Sequence, residues 1–441
     1  MPQPPFNSFS RIFFSNQHNH RHRALQSYRW MTSSRRVQDR SKDKRVHDLE
    51  IAAQKHKVVS KILYLFQVLK SEQENIIPLR NLEQHRRQIN LPRPNKLSDF
   101  LHKSPKLFEL YKDHRGTVWC GLTEKGEELL KKEDEIIEQN SDKAAEHVTR
   151  MLMMSVDKRL PVDKIAQLRR DFGLPHDFRK HWVHKYPELF RRVQPLKPVD
   201  NVEYLELVSW KPDWSITELE KTVLGKIDGD HVPGLLSLSF PLKFPSTYKK
   251  VYRYGGKIDH FQKREYLSPY ADARGLEPGS LEFDKRAVAV MHELLSFTVE
   301  KRVVTDFLTY FRREFVMPQK LMRLLLKHFG IFYVSERGKR FSVFLKEAYD
   351  GSELIEKHPL VVWKEEVMSH VGYRGNKKGI KSFEDISDVE NNLFLGSDSE
   401  DKDNLQLEQG RNETMGSLEN ILPTSEGSEM EVEEVQGAYD S

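Results

Sequence analysis

Apolar residues recur at helical spacing in four stretches of the chain. The first runs from Gln54 to Leu69, where three lysines share the helix with the apolar positions. Leu79–Gln88 predicts a second short helix, bounded by prolines on both sides. Lys143–Phe172 and Lys285–Phe315 predict the remaining helical stretches. The pattern therefore predicts a largely helical chain.

A shorter motif follows each group of helices. It consists of a short amphipathic helix, a break, an apolar–aromatic pair and then strand-like sequence. The pairs are Leu107/Phe108, Leu189/Phe190 and Ile331/Phe332. The strand-like segments are Thr117–Leu122, Val202–Trp210 and Phe341–Leu345. Helices followed by a hairpin are the order of a winged helix, although a chance similarity of three helix–break–strand segments is the alternative.

The fold class that these patterns predict is mainly α with short β-hairpins (α+β), built from tandem irregular winged-helix-like units. We place the units at about 45–140, 141–210 and 285–350. Between the second and third units, 211–284 is rich in proline, glycine and aromatic residues interleaved with lysine and arginine. This stretch is too apolar for a free linker, so we expect an irregular but ordered insert.

Charge is distributed unevenly along the 441 residues. The formal net charge is +5, yet 383–441 holds 17 acidic and 2 basic residues, a net of −15 that leaves about +20 on the rest of the chain. The acidic end lacks periodicity and is predicted to be a disordered tail. A strongly basic body suits a polyanionic partner, because neutralised phosphates release counterions. A well-solvated surface is the alternative interpretation.

The first 38 residues contain no aspartate or glutamate but several arginines, serines and histidines. This composition is typical of an organellar transit peptide, which we assign to 1–40. A disordered basic arm that binds nucleic acid is the alternative. Because arginine is more prominent than serine, we expect mitochondrial import, with the chloroplast as the alternative.

Catalytic and metal motifs fail on inspection. His292-Glu293 opens like the helix of a zinc protease, but the motif requires histidine where Ser296 stands. The single cysteine, Cys120, excludes an internal disulfide. We predict no catalytic residue, no cofactor, no small-molecule substrate, no metal and no membrane span. Three histidines have ligand-like spacing but lack an acidic or cysteine partner, and we interpret them as part of a basic face: His176, His181 and His184.

Basic residues with aromatic neighbours are the remaining signal. Phosphate contacts from such side chains position RNA, and aromatic faces stack unpaired bases. The candidate RNA-binding residues are Arg169, Arg170, Arg179, Lys180, Lys185, Arg312, Arg313, Lys320, Arg323, Lys327, Tyr373, Arg374, Lys377 and Lys378.

The sequence resembles the plant organelle RNA recognition domain family over roughly 45–374. The segments that carry the resemblance are Arg302–Leu308, Phe311–Phe315, Pro318–Leu326, His328–Ser335, Gly338–Tyr349, Arg45–Asp48, Leu168–Pro175 and Tyr186–Phe190. The resemblance implies a non-enzymatic protein of plant mitochondria or chloroplasts that binds intron RNA. It also implies a role in group II intron splicing, together with other splicing factors in a ribonucleoprotein. A DNA-binding winged-helix regulator and a protein-interaction scaffold are the competing hypotheses.

Overall fold

One order of elements occurs three times: a long helix, a short strand, further short helices and a β-hairpin. The computed structural model describes residues 45–89, 91, 96–194, 202–224, 238–246, 248, 252–335 and 340–371. The transit peptide predicted at 1–40 and the acidic tail predicted at 383–441 lie outside these described residues. Within them, 13 helices accompany small antiparallel sheets, which confirms the prediction of an α+β fold.

The first unit, 47–122, begins with the longest helix of the described chain. Its elements are α1 (His47–Lys70), β1 (Ile77–Pro78), α2 (Leu79–Glu83), α3 (Arg86–Ile89), α4 (Leu97–His102), β2 (Phe108–Lys112) and β3 (Val118–Leu122). The third strand is central, because β1 and β2 both pair with β3. The helix α5 (Glu124–Gln139) follows, and its first turn is capped by the Thr123 hydroxyl, which accepts from the Gly126 amide at 3.1 Å.

The second unit, 141–207, and the third unit, 281–345, repeat this strand order. The elements of the second are α6 (Ser141–Met154), β4 (Arg159–Pro161), α7 (Val162–Gln167), β5 (Phe190–Val193) and β6 (Tyr204–Leu207). Between the two units lie α8 (Glu218–Leu224) and α9 (Tyr252–Lys263). The elements of the third are α10 (Leu281–Phe297), β7 (Arg302–Val304), α11 (Thr305–Tyr310), α12 (Leu321–Lys327), β8 (Phe332–Ser335) and β9 (Ser342–Leu345). The sheet orders are β4-β6-β5 and β7-β9-β8, again with the last strand in the centre.

A small hairpin and a helix complete the described chain. They are β10 (Tyr349–Asp350), β11 (Glu353–Leu354) and α13 (Pro359–Ser369). The sequence pattern did not predict α13, although it packs on α1 and α5. Trp363 fixes it there, since this fully buried ring donates its Nε1–H to the Leu129 carbonyl at 2.9 Å.

The first strand of the second and third units lies inside stretches for which the sequence pattern predicted one or two helices and no strand. Both helices end before a lysine in the left-handed region, Lys158 at φ 54° and Lys301 at φ 48°. Each lysine ammonium donates back to its own helix, to the carbonyls of Met153 and Ser296 respectively. The chain is thereby turned onto the sheet, and a strand of three residues is too short to show alternation in the sequence.

The second and third units contact each other reciprocally. The Val156 amide donates to the Glu314 carbonyl at 2.9 Å, and the Val299 amide donates to the Asp171 carbonyl at 2.7 Å. The two donors, Val156 and Val299, are 143 positions apart along the chain, and so are the two acceptors, Asp171 and Glu314. Equivalent residues that exchange partners define an isologous contact, so the two units are related by an approximate twofold axis.

Arg150 and Glu293 form a buried ion pair on this axis. They too are 143 positions apart, and their side chains, both fully buried, approach to 2.5 Å. Arg150 also donates to the Tyr270 hydroxyl at 3.0 Å, the Ile216 carbonyl at 2.8 Å and the Glu218 carboxylate at 2.6 Å. A contact to Glu146 at 3.3 Å engages its remaining donor. The guanidinium is therefore fully hydrogen-bonded, as a buried charge requires.

The insert contributes to the same core. Leu219, Phe240, Phe261 and Tyr266 are buried in one apolar cluster with the second and third units. The sequence pattern predicted an irregular insert, whereas the described part contains α8 and α9. A second apolar cluster joins the first unit, α13 and one face of the third unit's sheet.

We predict that Arg150→Met lowers the free energy of unfolding by about 3–5 kcal/mol, because it leaves the Glu293 carboxylate buried without its cation. The double variant Arg150→Met/Glu293→Met is expected to be destabilised by less than the sum of the two single variants, and the difference is expected to be at least about 1 kcal/mol. Chemical denaturation of the four proteins of this cycle measures the coupling. Arg159→Met is the control, since Arg159 is exposed, and its loss is expected to stay within about 0.5 kcal/mol. Additive losses in the cycle would contradict the assignment.

Candidate nucleic-acid interface

A pair of consecutive arginines occupies the same turn in each unit. In all three, a hydrogen bond returns to the carbonyl of the first arginine: from Leu91 to Arg86, from Leu174 to Arg169, and from Met317 to Arg312, at 3.2, 2.7 and 2.8 Å. A buried apolar residue follows each pair by two positions and anchors the turn: Ile89, Phe172 and Phe315. The three arginine pairs are thus equivalent in the fold.

The pair of the first unit, Arg86 and Arg87, was absent from the predicted site. The signal that finds it is the recurring pattern of two arginines, an apolar residue two positions later, and a second apolar residue followed by proline. Arg86 lies 3.8 Å from the Glu83 carboxylate, whereas Arg87 is exposed.

In the second unit the arginine pair faces the first unit. A terminal nitrogen of Arg170 donates to the Leu63 carbonyl of α1 at 2.6 Å. Arg169 is half-buried beside it in a small cavity that Glu133 of α5 also lines. Burial lowers the pKa of Arg169 to about 10, and it also lowers the pKa of Arg170. These two predicted RNA contacts therefore also join the first and second units.

In the third unit the pair lies at the surface. Arg312 is half-buried and donates to the Gln319 carbonyl at 3.1 Å, which closes the loop before α12. Arg313 is exposed, and its side chain has no hydrogen-bond or ion-pair partner within the described ranges. Its charge is available to a ligand.

The helix α12 separates apolar from basic positions. Leu321, Leu324 and Leu325 are buried beneath it. Lys320 and Arg323 are exposed without an ion-pair partner in the described part of the chain, while Lys327 pairs with Asp284 at 2.8 Å. Leu326, 39% exposed, adds an apolar position to this surface.

The predicted residues of the second unit's surface are more fully paired. Arg179 forms an ion pair with Asp163 at 2.8 Å, and Lys185 with Glu138 at 2.6 Å. Lys180 is exposed and has no such partner among the residues described. Exposed ion pairs contribute little, so a phosphate can replace the carboxylates at small cost.

The predicted residues of the glycine-rich basic segment, Tyr373, Arg374, Lys377 and Lys378, lie outside the described residues. Among the residues that are described, no group of three metal-ligating side chains occurs. Cys120 is buried in β3, and burial raises the pKa of its thiol to about 12, which is unsuited to a nucleophile. No helix in the described ranges has both the length and the apolar character needed to cross a bilayer.

The class of protein that these features define is an α+β protein with a basic surface suited to phosphate contacts. The family model of the plant organelle RNA recognition domain matches residues 44–375, and the chain belongs to this family of RNA-binding proteins.

Curated plant relatives resemble the chain over most of its length. The rice (Oryza sativa subsp. japonica) chloroplastic homolog of Protein WHAT'S THIS FACTOR 1 is 35% identical over 79% of this chain and 70% of its own. The Arabidopsis thaliana chloroplastic homolog is 35% identical over 72% of this chain and 60% of its own. Protein WHAT'S THIS FACTOR 9, mitochondrial, of Arabidopsis thaliana is 30% identical over 66% of this chain and 73% of its own. No solved structure matches the chain.

We predict that Arg170→Met and Arg313→Met, equivalent in the fold, have different effects on stability. Arg170→Met removes the charged hydrogen bond to the Leu63 carbonyl and is expected to cost about 1–3 kcal/mol. Arg313→Met removes an exposed side chain and is expected to change the free energy of unfolding by less than about 0.5 kcal/mol. Urea denaturation of both variants checks this, and equal losses would show that the two pairs have the same structural role.

Proposed function

We propose that this protein binds organellar intron RNA and promotes group II intron splicing by holding the RNA in a productive shape, without catalysing the reaction itself. The observation that carries the proposal is the exposed charge of Arg313, Lys320 and Arg323, which have no ion-pair partner among the described residues, in a chain of an organelle RNA recognition family. Other splicing factors in a ribonucleoprotein are the proposed protein partners.

We further propose that the three units are winged-helix-like. The strand order supports this, because the first and second strands flank the third in each unit. A helix also precedes the hairpin of the first and third units. In the second unit a 3-10 turn at Trp182–Lys185 takes the place of that helix. In such folds the helix before the hairpin contacts nucleic acid. In the third unit that helix is α12, which carries Arg323 and Lys327. This placement favours α12 as the centre of the RNA contact.

The proposed division of the chain follows the same logic. Residues 45–375 form the RNA-binding region, with units at about 45–140, 141–210 and 285–350 and an insert at 211–284. Residues 1–40 are the proposed transit peptide, and 383–441 the proposed acidic tail. The candidates of the glycine-rich basic segment, Tyr373, Arg374, Lys377 and Lys378, are proposed to add further RNA contacts.

The proposed location is the mitochondrion, with the chloroplast as the alternative. The acid-free, arginine-rich first 38 residues support import into an organelle. Relatives carry names of both kinds, chloroplastic for the rice protein and mitochondrial for Protein WHAT'S THIS FACTOR 9. The names therefore support an organelle without choosing between the two.

We predict that Arg313→Ala/Lys320→Ala/Arg323→Ala weakens binding to single-stranded RNA of every sequence. The slope of log affinity against log salt is expected to fall by about 2, because each lost phosphate contact removes about 0.7 from it. Filter binding at several salt concentrations measures both quantities. A matched triple variant, Lys106→Ala/Lys112→Ala/Lys131→Ala, removes three exposed lysines of the first unit and α5, none of which forms an ion pair within the part of the chain that is described.

If the two triple variants bind alike, the third unit is not the RNA surface. Duplex DNA and duplex RNA are included at the same salt. Preference for duplex DNA would favour the DNA-binding alternative, and absence of salt-dependent binding to any nucleic acid would favour a protein-interaction scaffold.

We predict that RNA co-purified with the tagged protein from fractionated plant organelles is enriched in intron sequences. Mitochondrial introns are expected, because the amino-terminal composition favours that import route. Chloroplast introns would move the location to the alternative organelle. Enrichment of exon or ribosomal RNA without introns would contradict the splicing role, with an untagged extract as the control.

A further inference from the structure

A second basic cavity, of about 300 Å³, lies between the end of α6 and the chain that follows α9. Its lining includes three cations, Lys158, Arg274 and Arg286, together with Asp272 and the indole of Trp210. None of these residues belongs to the predicted RNA surface. The combination of clustered cations and an accessible aromatic ring distinguishes it from the other cavities of the described chain.

Arg286 is the buried cation of this cavity. It is 2% exposed, and its terminal nitrogens donate to the carbonyls of Phe315 at 2.9 Å and Pro269 at 3.3 Å. Among the described residues, its Nε–H has no hydrogen-bond partner and no carboxylate forms an ion pair with it. Burial lowers its pKa to about 10, as expected for a charge whose desolvation is incompletely offset. The Asp272 carboxylate offsets part of this desolvation, and an anion in the cavity would offset more of it.

The other two cations are positioned at the cavity wall. The Lys158 ammonium donates to the Met153 carbonyl at 2.6 Å and lies 5.0 Å from the centre of the Trp210 ring. Arg274 pairs with Asp157 at 3.4 Å, and both side chains of that pair are 62% exposed. Since exposed pairs contribute little, Arg274 can turn to an anion with small loss. Asp272 is the one carboxylate that lines the cavity.

The approximate twofold axis offers an internal comparison. The third-unit counterpart of Lys158 is Lys301, and the counterpart of Arg286 across the axis is Lys143, each 143 positions away. There burial lowers the pKa of His358 to about 4, and the charges of Lys143 and Lys301 add to this effect, which places the segment before α13 near them. The segment before α13 therefore lies near Lys143 and Lys301, whereas a cavity lies beside their counterparts, Arg286 and Lys158.

We propose that this cavity binds one phosphate of an RNA strand and that Trp210 stacks against the unpaired base beside it. The inference rests on the proposed RNA binding and deepens it by naming a single-stranded nucleotide as the ligand. Trp210 is 42% exposed, so part of its ring remains available beyond the contact with Lys158. Base–aromatic stacking tolerates any base, so the site contributes affinity rather than sequence preference.

Trp210→Ala tests the stacking contact. It is expected to weaken binding to single-stranded RNA roughly 5- to 150-fold while leaving the salt slope nearly unchanged. Tyr111→Ala is the matched control, because Tyr111 is an aromatic residue of the first unit with 41% exposure. Its affinity is expected to equal that of the unaltered protein. Equal losses in the two variants, or none in Trp210→Ala, would overturn the stacking assignment.

Lys158→Asn/Arg274→Gln tests the phosphate contact. Asparagine tolerates the left-handed backbone at position 158, and Arg286 is left intact because it binds two carbonyls of the core. The salt slope is expected to fall by about 0.7 to 1, as for the loss of one phosphate contact, whereas the control Arg159→Gln, an exposed neighbour, leaves it unchanged. Thermal unfolding of each variant shows that the fold is retained.

Intrinsic fluorescence separates failure of the cavity from failure of the proposed function. Uridine monophosphate is expected to quench tryptophan emission in the full-length protein but not in Trp210→Phe. Suppose that the protein binds RNA, that uridine monophosphate quenches the unaltered protein and Trp210→Phe equally, and that the cavity variants bind RNA like their controls. The cavity proposal then fails and RNA binding stands. If the protein binds no RNA at any salt, the proposed function fails, and the cavity proposal fails with it.

Discussion

The buried contact between Arg150 and Glu293 constrains the arrangement of the second and third units, because it lies where the two equivalent helices cross. At such a position a symmetric pair would place identical side chains against each other, and two like charges could not be buried together. Arginine on one helix and glutamate on the other make the crossing complementary. The same guanidinium holds Ile216, Glu218 and Tyr270, so the insert is fixed to the axis by the contact that joins the units. Removing one partner therefore disturbs three parts of the fold.

Breaking the symmetry at the axis lets equivalent surfaces take different roles. Glu300 and Arg302 of the third unit are covered by α1, where His56 contacts both, and their charges are enclosed. Their counterparts in the second unit, Asp157 and Arg159, remain exposed. Desolvation by burial raises the pKa of Glu300, but the charges of Lys364, His56 and Arg302 outweigh this effect and hold the pKa well below its usual range. One copy of this surface became an interface with the first unit, and the other stayed available to solvent.

The hydrophobic pattern was sufficient for features that depend on local sequence. The three apolar–aromatic pairs predicted at the hairpins are all buried, and each is formed by the same turn, in which residues such as Phe108 and Phe332 bond back four positions. The first strands of the units were missed because their two or three residues pair with a strand far along the chain. The helix α13 was missed because its burial comes from contact with α1 and α5 rather than from its own periodicity. Similarly, no pattern distinguishes Arg170 from Arg313, since only tertiary packing decides which of two equivalent arginines reaches a backbone carbonyl.

This last distinction bears on how a basic sequence becomes a binding surface. A buried cation whose donors are all bound to carbonyls or carboxylates, such as Arg150, gains little from a phosphate, because it must give up one partner for another. Exposed cations such as Lys320 and Arg323 give up only water, and they retain the counterion release that drives association with a polyanion. A buried cation with an open donor, such as Arg286, has the opposite balance: its desolvation is already incurred by folding, so an anion that reaches it meets a preorganised partner. In the RNA complex that we propose, the exposed residues of the third unit therefore attract RNA over long range, and the cavity holds one nucleotide in place.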